Sequence, residues 1–249
     1  MKETIFFGII AICLIVIGII FIISMKMFSE LLKKAIPVKI KVSCAGSAVP
    51  NTPNEIKVQG LYSQKFYDKN NNLVDPNDYI PYYVKGQSML LCGINDDDVI
   101  FTKKIQIDSI SFNKPHVYVL ERDGFVRQKA SIEKDYADYK VRRTWAIVRL
   151  GEDNLIECAK QIMETEEFKD LRNKHPKSFL SEDEMIKDFN DERIKKYYEQ
   201  YPLCAEESDS NHIAIISTTL KSSMNNKVTF SIHPARTIVG EVFYSFKMK

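Results

Sequence analysis

One serine in this 249-residue chain sits in a frame suited to chemistry. It is Ser88, within the stretch Tyr82 to Lys104, YYVKGQSMLLCGINDDDVIFTKK. A β-type run, Tyr82-Tyr83-Val84, leads into Gly86-Gln87-Ser88-Met89. Gly93-Ile94, three aspartates (Asp96, Asp97, Asp98) and a second strand, Val99-Ile100-Phe101, follow. Strand, glycine turn, serine, acidic turn and strand hold one hydroxyl at a sheet edge, where it is a candidate nucleophile. In an ordinary hairpin the same serine is only a turn residue. The Ser-Met pair carries no weight alone, because it recurs at Ser24-Met25 and Ser223-Met224 outside any such frame.

The frame resembles the peptidase clan of LexA-type repressors, UmuD and type I signal peptidases. The residues that carry the likeness are Val84, Gly86, Ser88, Met89, Gly93, Ile94 and Asp96-Asp97-Asp98-Val99. Asp97 stands where the clan usually has glycine, a position that asparagine and aspartate tolerate at positive φ. The closing run Thr237 to Phe246 is similar to the clan's last strand, so the likeness covers about residues 44 to 150 and 211 to 249. It implies a mostly β, LexA-like or signal-peptidase-like sheet domain in which serine attacks a peptide carbonyl and a neutral lysine takes its proton. Met89 would line the binding groove beside it.

The likeness also shows where the chemistry fails. The clan's base lies on a strand that here reads Tyr139 to Val148, and the direct match puts Val141-Arg142-Arg143 on it. Arg142 then replaces the lysine. Bringing a lysine from about 10.4 to near 7 costs about 4 kcal/mol, within reach of burial. Bringing an arginine from about 12.5 to 7 costs roughly 8 kcal/mol. Arg142 is expected to hold an anion or a carbonyl rather than to accept a proton. Lys140, two residues away and on the same strand face, is the remaining candidate base, and it needs a local slip or bulge to reach Ser88. In the clan an Ala-Gly or Cys-Gly bond ahead of the serine is the self-cleavage site. Ala45-Gly46 is the one Ala-Gly in the chain, 42 residues before Ser88. It reads either as a plain surface loop or as a cleavage segment whose glycine lets the backbone bend toward the serine.

The elements around this site follow from pattern. Ile5 to Ile23 is a run of 19 uncharged, mostly apolar residues, about 28 Å long as a helix and close to the hydrocarbon thickness of a bilayer. It is too long, and lacks the small-residue cleavage site, for a secretory signal. Lys26, Lys33, Lys34, Lys39 and Lys41 follow it against Glu30 alone, which puts the C-terminal bulk in the cytoplasm. The division expected is an anchor over 1–24, a juxtamembrane segment over 25–43 ending in an alternating strand, and the sheet domain over 44–249. Residues 50–80 are loop-rich, with short strands at Ile56 to Val58 and Leu61 to Phe66. A strand from His116 to Glu121 runs into an Asp123-Gly124 hairpin turn.

Residues 151–210 change character and read as an inserted helical hairpin. Leu155, Cys158, Ala159, Ile162 and Met163 mark one helix. A second opens at the capping box Ser181 to Glu184, and Asn173-Lys174-His175-Pro176 breaks the two. Over 151–201 there are 14 acidic and 9 basic residues, and the hairpin is expected either to cap the sheet or to dock a partner protein. Strands return at Ile213 to Leu220, Lys227 to Ile232 and Ile238 to Phe246, with Asn225-Asn226 as a turn.

Composition removes other classes. The net charge of +2 gives no bulk attraction to nucleic acid, and no helix-turn-helix precedes the domain. Five scattered cysteines and four scattered histidines fit neither a metal site nor a disulfide framework, and no cofactor is expected. No phosphate loop or G-x-S-x-G elbow occurs. The expectation is a degenerate serine peptidase that binds a peptide or partner as a sensor or scaffold. Its rival is an active Ser88–Lys140 peptidase that cuts Ala45–Gly46 and frees the domain from the membrane.

Overall fold

The computed structural model describes residues 2–35, 37–46, 55–59, 66–67, 72–106, 115–123, 137–149, 154–201, 213–221 and 225–247. The chain divides into two compact units, Met1–Ile40 with Glu55–Val74, and Lys41–Asn54 with Asp75–Lys249.

The first unit is built on helix α1, Lys2–Ala35, 34 residues without a break. The expected anchor and the lysine-rich segment after it are therefore one helix, stopped where Pro37 opens strand β1, Pro37–Lys41. Its window Leu14–Leu32 is long and apolar enough to cross a membrane, and none of that window is buried against protein. In the same unit β1 pairs with β3, Glu55–Gln59, and β4, Phe66–Tyr67, with β5, Leu73–Val74. Of the strand expected over Leu61 to Phe66 only its last residue is described.

The second unit is mostly β. Strands β2 (Ser43–Gly46), β6 (Ile80–Lys85), β7 (Val99–Lys103), β8 (His116–Glu121) and β9 (Tyr139–Arg149) precede the helical insertion; β10 (Ile213–Lys221), β11 (Lys227–Pro234) and β12 (Ile238–Phe246) follow it. Their order is β11-β10-β9-β2-β6-β7-β12-β8, and β8 also pairs with β9. That extra pairing closes six strands into a barrel and leaves β10 and β11 as a flap on β9. β2 is parallel to both β6 and β9; the other pairs are antiparallel. Ala45, Tyr82, Val84, Ile100, Val119 and Val141 pack with Met89 and Ile94 inside the barrel.

Two expectations about this unit need correction. Residues 43–46 are a barrel strand, not a surface loop, and Ala45 is fully buried. Among the described residues the insertion holds four short α-helices rather than a two-helix hairpin: α2 (Asn154–Glu164), α3 (Glu166–Lys174), α4 (Glu182–Asp188) and α5 (Asp191–Gln200). The added breaks sit at side-chain caps. Thr165 accepts from Phe168 N and opens α3, and Asn190 accepts from Arg193 N and opens α5. The Ser181–Glu184 capping box forms as read. The helices bury Leu155, Ile162, Phe168, Met185 and Phe189 against Trp145, Ile216 and Phe230, so they cap one face of the flap. Thr165 is the joint of this cap, because its Oγ1 also accepts from Trp145 Nε1 at 2.9 Å. Thr165→Ala is expected to cost about 2 kcal/mol, the lost cap plus the orphaned indole N–H, read from the urea midpoint. Asn225 and Asn226 turn with φ of 52° and 58°, the double positive pair that a tight hairpin requires. The Asp123-Gly124 turn lies outside the described residues from Gly124 onward.

Candidate functional site

Ser88 lies just past the end of β6, where the chain leaves the barrel wall. The three aspartates fix this corner from below. Asp97 takes a φ of 69°, the left-handed conformation expected of it. The Val84 and Asp97 backbones exchange hydrogen bonds with the turn: Val84 N donates to Asp98 O at 2.8 Å and Asp97 N to Val84 O at 2.9 Å. Asp96 Oδ1 accepts from Gly86 N at 2.9 Å, Asp97 Oδ1 from Tyr83 and Lys85, and Asp98 Oδ2 from Asn95 N at 2.8 Å. Each carboxylate is spent on the turn. The Lys85 and Tyr83 hydrogen bonds hold the Asp97 carboxyl below the usual carboxylate range.

Across from this corner runs β9. β2 meets β9 at Tyr139 and β10 meets it from Arg143 onward. Arg142 therefore sits in the gap between the two partner strands, and Ser88 fills that gap. Leu220 N, at the end of β10, donates to Ser88 O at 3.4 Å. Met89 drops into the barrel core, 2% exposed. A small recess beside the hydroxyl is lined by Leu91, Thr218, Leu220 and Leu171 of α3, so the helical cap closes that side of Ser88.

The hydroxyl's partner is Arg142. Its Nη1 donates to Ser88 Oγ at 3.2 Å and to Val141 O at 2.7 Å. Burial and the nearby Arg122 lower the guanidinium from 12.5 to about 10, so it stays charged at neutral pH. Neutralising it at pH 7 then costs about 4 kcal/mol rather than the roughly 8 reckoned for an exposed arginine. A charged guanidinium donates and cannot accept.

Lys140 keeps the two-residue offset, because β9 runs in unbroken register against β8 from Tyr139 to Thr144. Among the described residues no hydrogen bond joins its Nζ to Ser88. Burial first, then Arg142 and Arg122, bring its amine down from 10.5 to about 7. Unfolded, a lysine titrates near 10.4. Between the two values the unfolded chain holds a proton that the folded chain has released, so stability rises with pH from about 7 to about 10. Lys140→Met is expected to flatten that rise and to gain about 2 kcal/mol at pH 7, measured as urea midpoints across the range.

Ala45 and Gly46 complete the corner. In the parallel ladder Ala45 pairs with Val84 and Gly46 with Lys85, so the Ala45–Gly46 bond lies in the strand beside the one that delivers Ser88. Gly46 is locked rather than pliable. Its φ is +124°, and a Cβ there would overlap the Lys85 carbonyl oxygen.

Sequence reasoning missed His233. It is half-buried on β11, where Ser231 Oγ lies 3.1 Å from its Nε2, and desolvation together with Lys140, Arg142 and Arg193 holds it well below the usual imidazole value. Its only sequence signal is the alternation Thr229, Ser231, His233 along one face of a strand. Among the described residues no three metal-ligating side chains converge. Scanned against known protein families the chain matches none, and a search of curated proteins finds no match.

Proposed function

We propose that the chain is a membrane-anchored, LexA- or signal-peptidase-like domain that binds a peptide or partner as a sensor or scaffold, its Ser-Lys chemistry lost. The observation that carries this reading is the 3.2 Å contact from Arg142 Nη1 to Ser88 Oγ. The group that meets the hydroxyl is a donor at neutral pH, so Ser88 serves as a hydrogen-bonding group. α1 serves as the anchor, and Lys26, Lys33, Lys34, Lys39 and Lys41 after the run Ile5 to Ile23 support a domain on the cytoplasmic side.

A second reading keeps the enzyme, with Ser88 as nucleophile, Lys140 as base and Ala45–Gly46 as the bond cut. It is favoured by the lowered Lys140 pKa, which suits a general base near neutral pH. One incubation separates the two. The anchored protein at mildly alkaline pH is expected to stay intact. A fragment beginning at Gly46 that Ser88→Ala abolishes would replace the binding reading with the enzymatic one.

A further inference from the structure

The face that the flap turns toward β8 gathers basic side chains, and among the described residues neither Lys140 nor Arg142 has an ion-pair partner. On β9, Lys140, Arg142 and Thr144 point to one side. The register carries that side across the flap, from Thr144 to Ser217 on β10 and Ser231 on β11; His233, two residues further on, is level with Ile215 and Ile147, away from Arg142 along β9. β11 then turns through Ala235–Thr237 into β12, whose Ile238 pairs with Leu120 of β8. The flap is thus brought back over β8, and Tyr118, Leu120, Ile215, Ala235 and Ile238 fill the space between.

Beside this packing Arg142 hydrogen-bonds only through Nη1. Its Nε is buried without a partner, as is Ser217 Oγ. The Nε–Nη2 edge is the side of a guanidinium that grips both oxygens of a carboxylate. Among the described residues, Lys140 Nζ forms no hydrogen bond or ion pair. The charged groups acting on Lys140 are Arg142 and Arg122, and those acting on His233 are Lys140, Arg142 and Arg193. All are basic groups, with Lys140 only partly charged at pH 7; Arg193 has Asp188 at 2.6 Å, Arg122 donates to Ala137 O, and the one carboxylate on the Tyr118 row, Glu241, is held by His116 at 2.8 Å. Burying like charges together is costly unless an anion joins them.

We infer that Arg142, Lys140 and His233 form a carboxylate-binding site on the inner face of β9–β11, taking either a small organic acid or the C-terminal carboxylate of a peptide. One carboxylate oxygen pair lies along the Nε–Nη2 edge of Arg142, with the Lys140 ammonium beside it. Because Lys140 sheds its proton near neutrality when the site is empty, binding draws a proton back onto it. Affinity therefore rises as pH falls through the neutral range. The site goes beyond the peptidase-like reading, since it requires nothing of Ser88 and stands whether or not the serine is reactive.

The test uses the full chain in detergent, by calorimetric titration at constant ionic strength. The probes are sodium acetate against sodium chloride, and acetyl-Ala-Ala as free acid against its amide. Acetate and the peptide acid are expected to bind saturably, and chloride and the amide are not. Arg142→Lys and Lys140→Gln are each expected to weaken binding about tenfold, and Lys140→Gln to remove the strengthening toward acid pH. A peptide acid that binds about tenfold tighter than acetate identifies a peptide terminus as the natural source; equal affinity identifies a small acid. The site is overturned if neither carboxylate binds, if the amide binds as well as the acid, or if folded Lys140→Gln binds as wild type does.

Discussion

Replacing Arg142 with lysine is expected to make the chain cut itself between Ala45 and Gly46. The environment at residue 142 brings arginine from 12.5 to about 10. The same displacement applied to a lysine starting at 10.5 gives about 8. At mildly alkaline pH a large share of that amine is neutral, and it stands on the strand position that already touches Ser88 Oγ. A positioned general base contributes about 10²- to 10⁴-fold in rate. The bond lies in the strand beside the one that leads to Ser88, because β2 runs parallel to β6 and ends at Gly46, opposite Lys85. The check is a mass for a fragment beginning at Gly46 that grows with time in Arg142→Lys and is missing from Arg142→Lys with Ser88→Ala. Adding Lys140→Met to Arg142→Lys should leave the fragment, since the new amine and not Lys140 meets the hydroxyl. A folded Arg142→Lys that stays intact at alkaline pH means that Ser88 is not displayed toward that bond.

How much of this was legible follows the range of the interactions concerned. The strands over His116 to Glu121 and Ile238 to Phe246, the left-handed Asp97, the Ser181–Glu184 box and the Asn225-Asn226 turn were all readable, because each is set within a few residues. The pairing of Ser88 with Arg142 was readable only through the resemblance, as an alignment of two strands 54 residues apart. The barrel was not, because its closure rests on β8 returning to β9 and on β2 entering in parallel, and neither leaves a local pattern. β2 itself is four residues, Ser43-Cys44-Ala45-Gly46, too short for alternation to show and ending in a residue that usually marks a loop. His233 was lost for a different reason. Its strand alternates correctly, but the cations that give it meaning come from β9 and α5, each remote in sequence. The extra helix breaks at Thr165 and Asn190 had a signal, a capping residue followed by acidic positions, that the longer apolar periodicity overrode.

That same short strand sets the second large expectation. Gly46→Ala should destabilise the domain by about 4 kcal/mol or more, at the exceptional end for a single substitution. Two costs add. Alanine at φ +124° is strained in its own right, and its methyl would occupy the space of the Lys85 carbonyl oxygen, which is backbone and already committed to the β2–β6 register. The two costs separate by comparison with Gly93→Ala. Gly93 also has a positive φ, +76°, but a Cβ there meets nothing within 4 Å. That variant is expected to lose only about 1 kcal/mol, the backbone term alone. The difference between the two urea midpoints, followed by the fluorescence of the single buried Trp145, measures the close approach of β2 to β6. Equal losses in the two variants would mean that β2 is free to move away from Lys85. The strand beside the serine would then be a displaceable segment instead of a fixed part of the barrel.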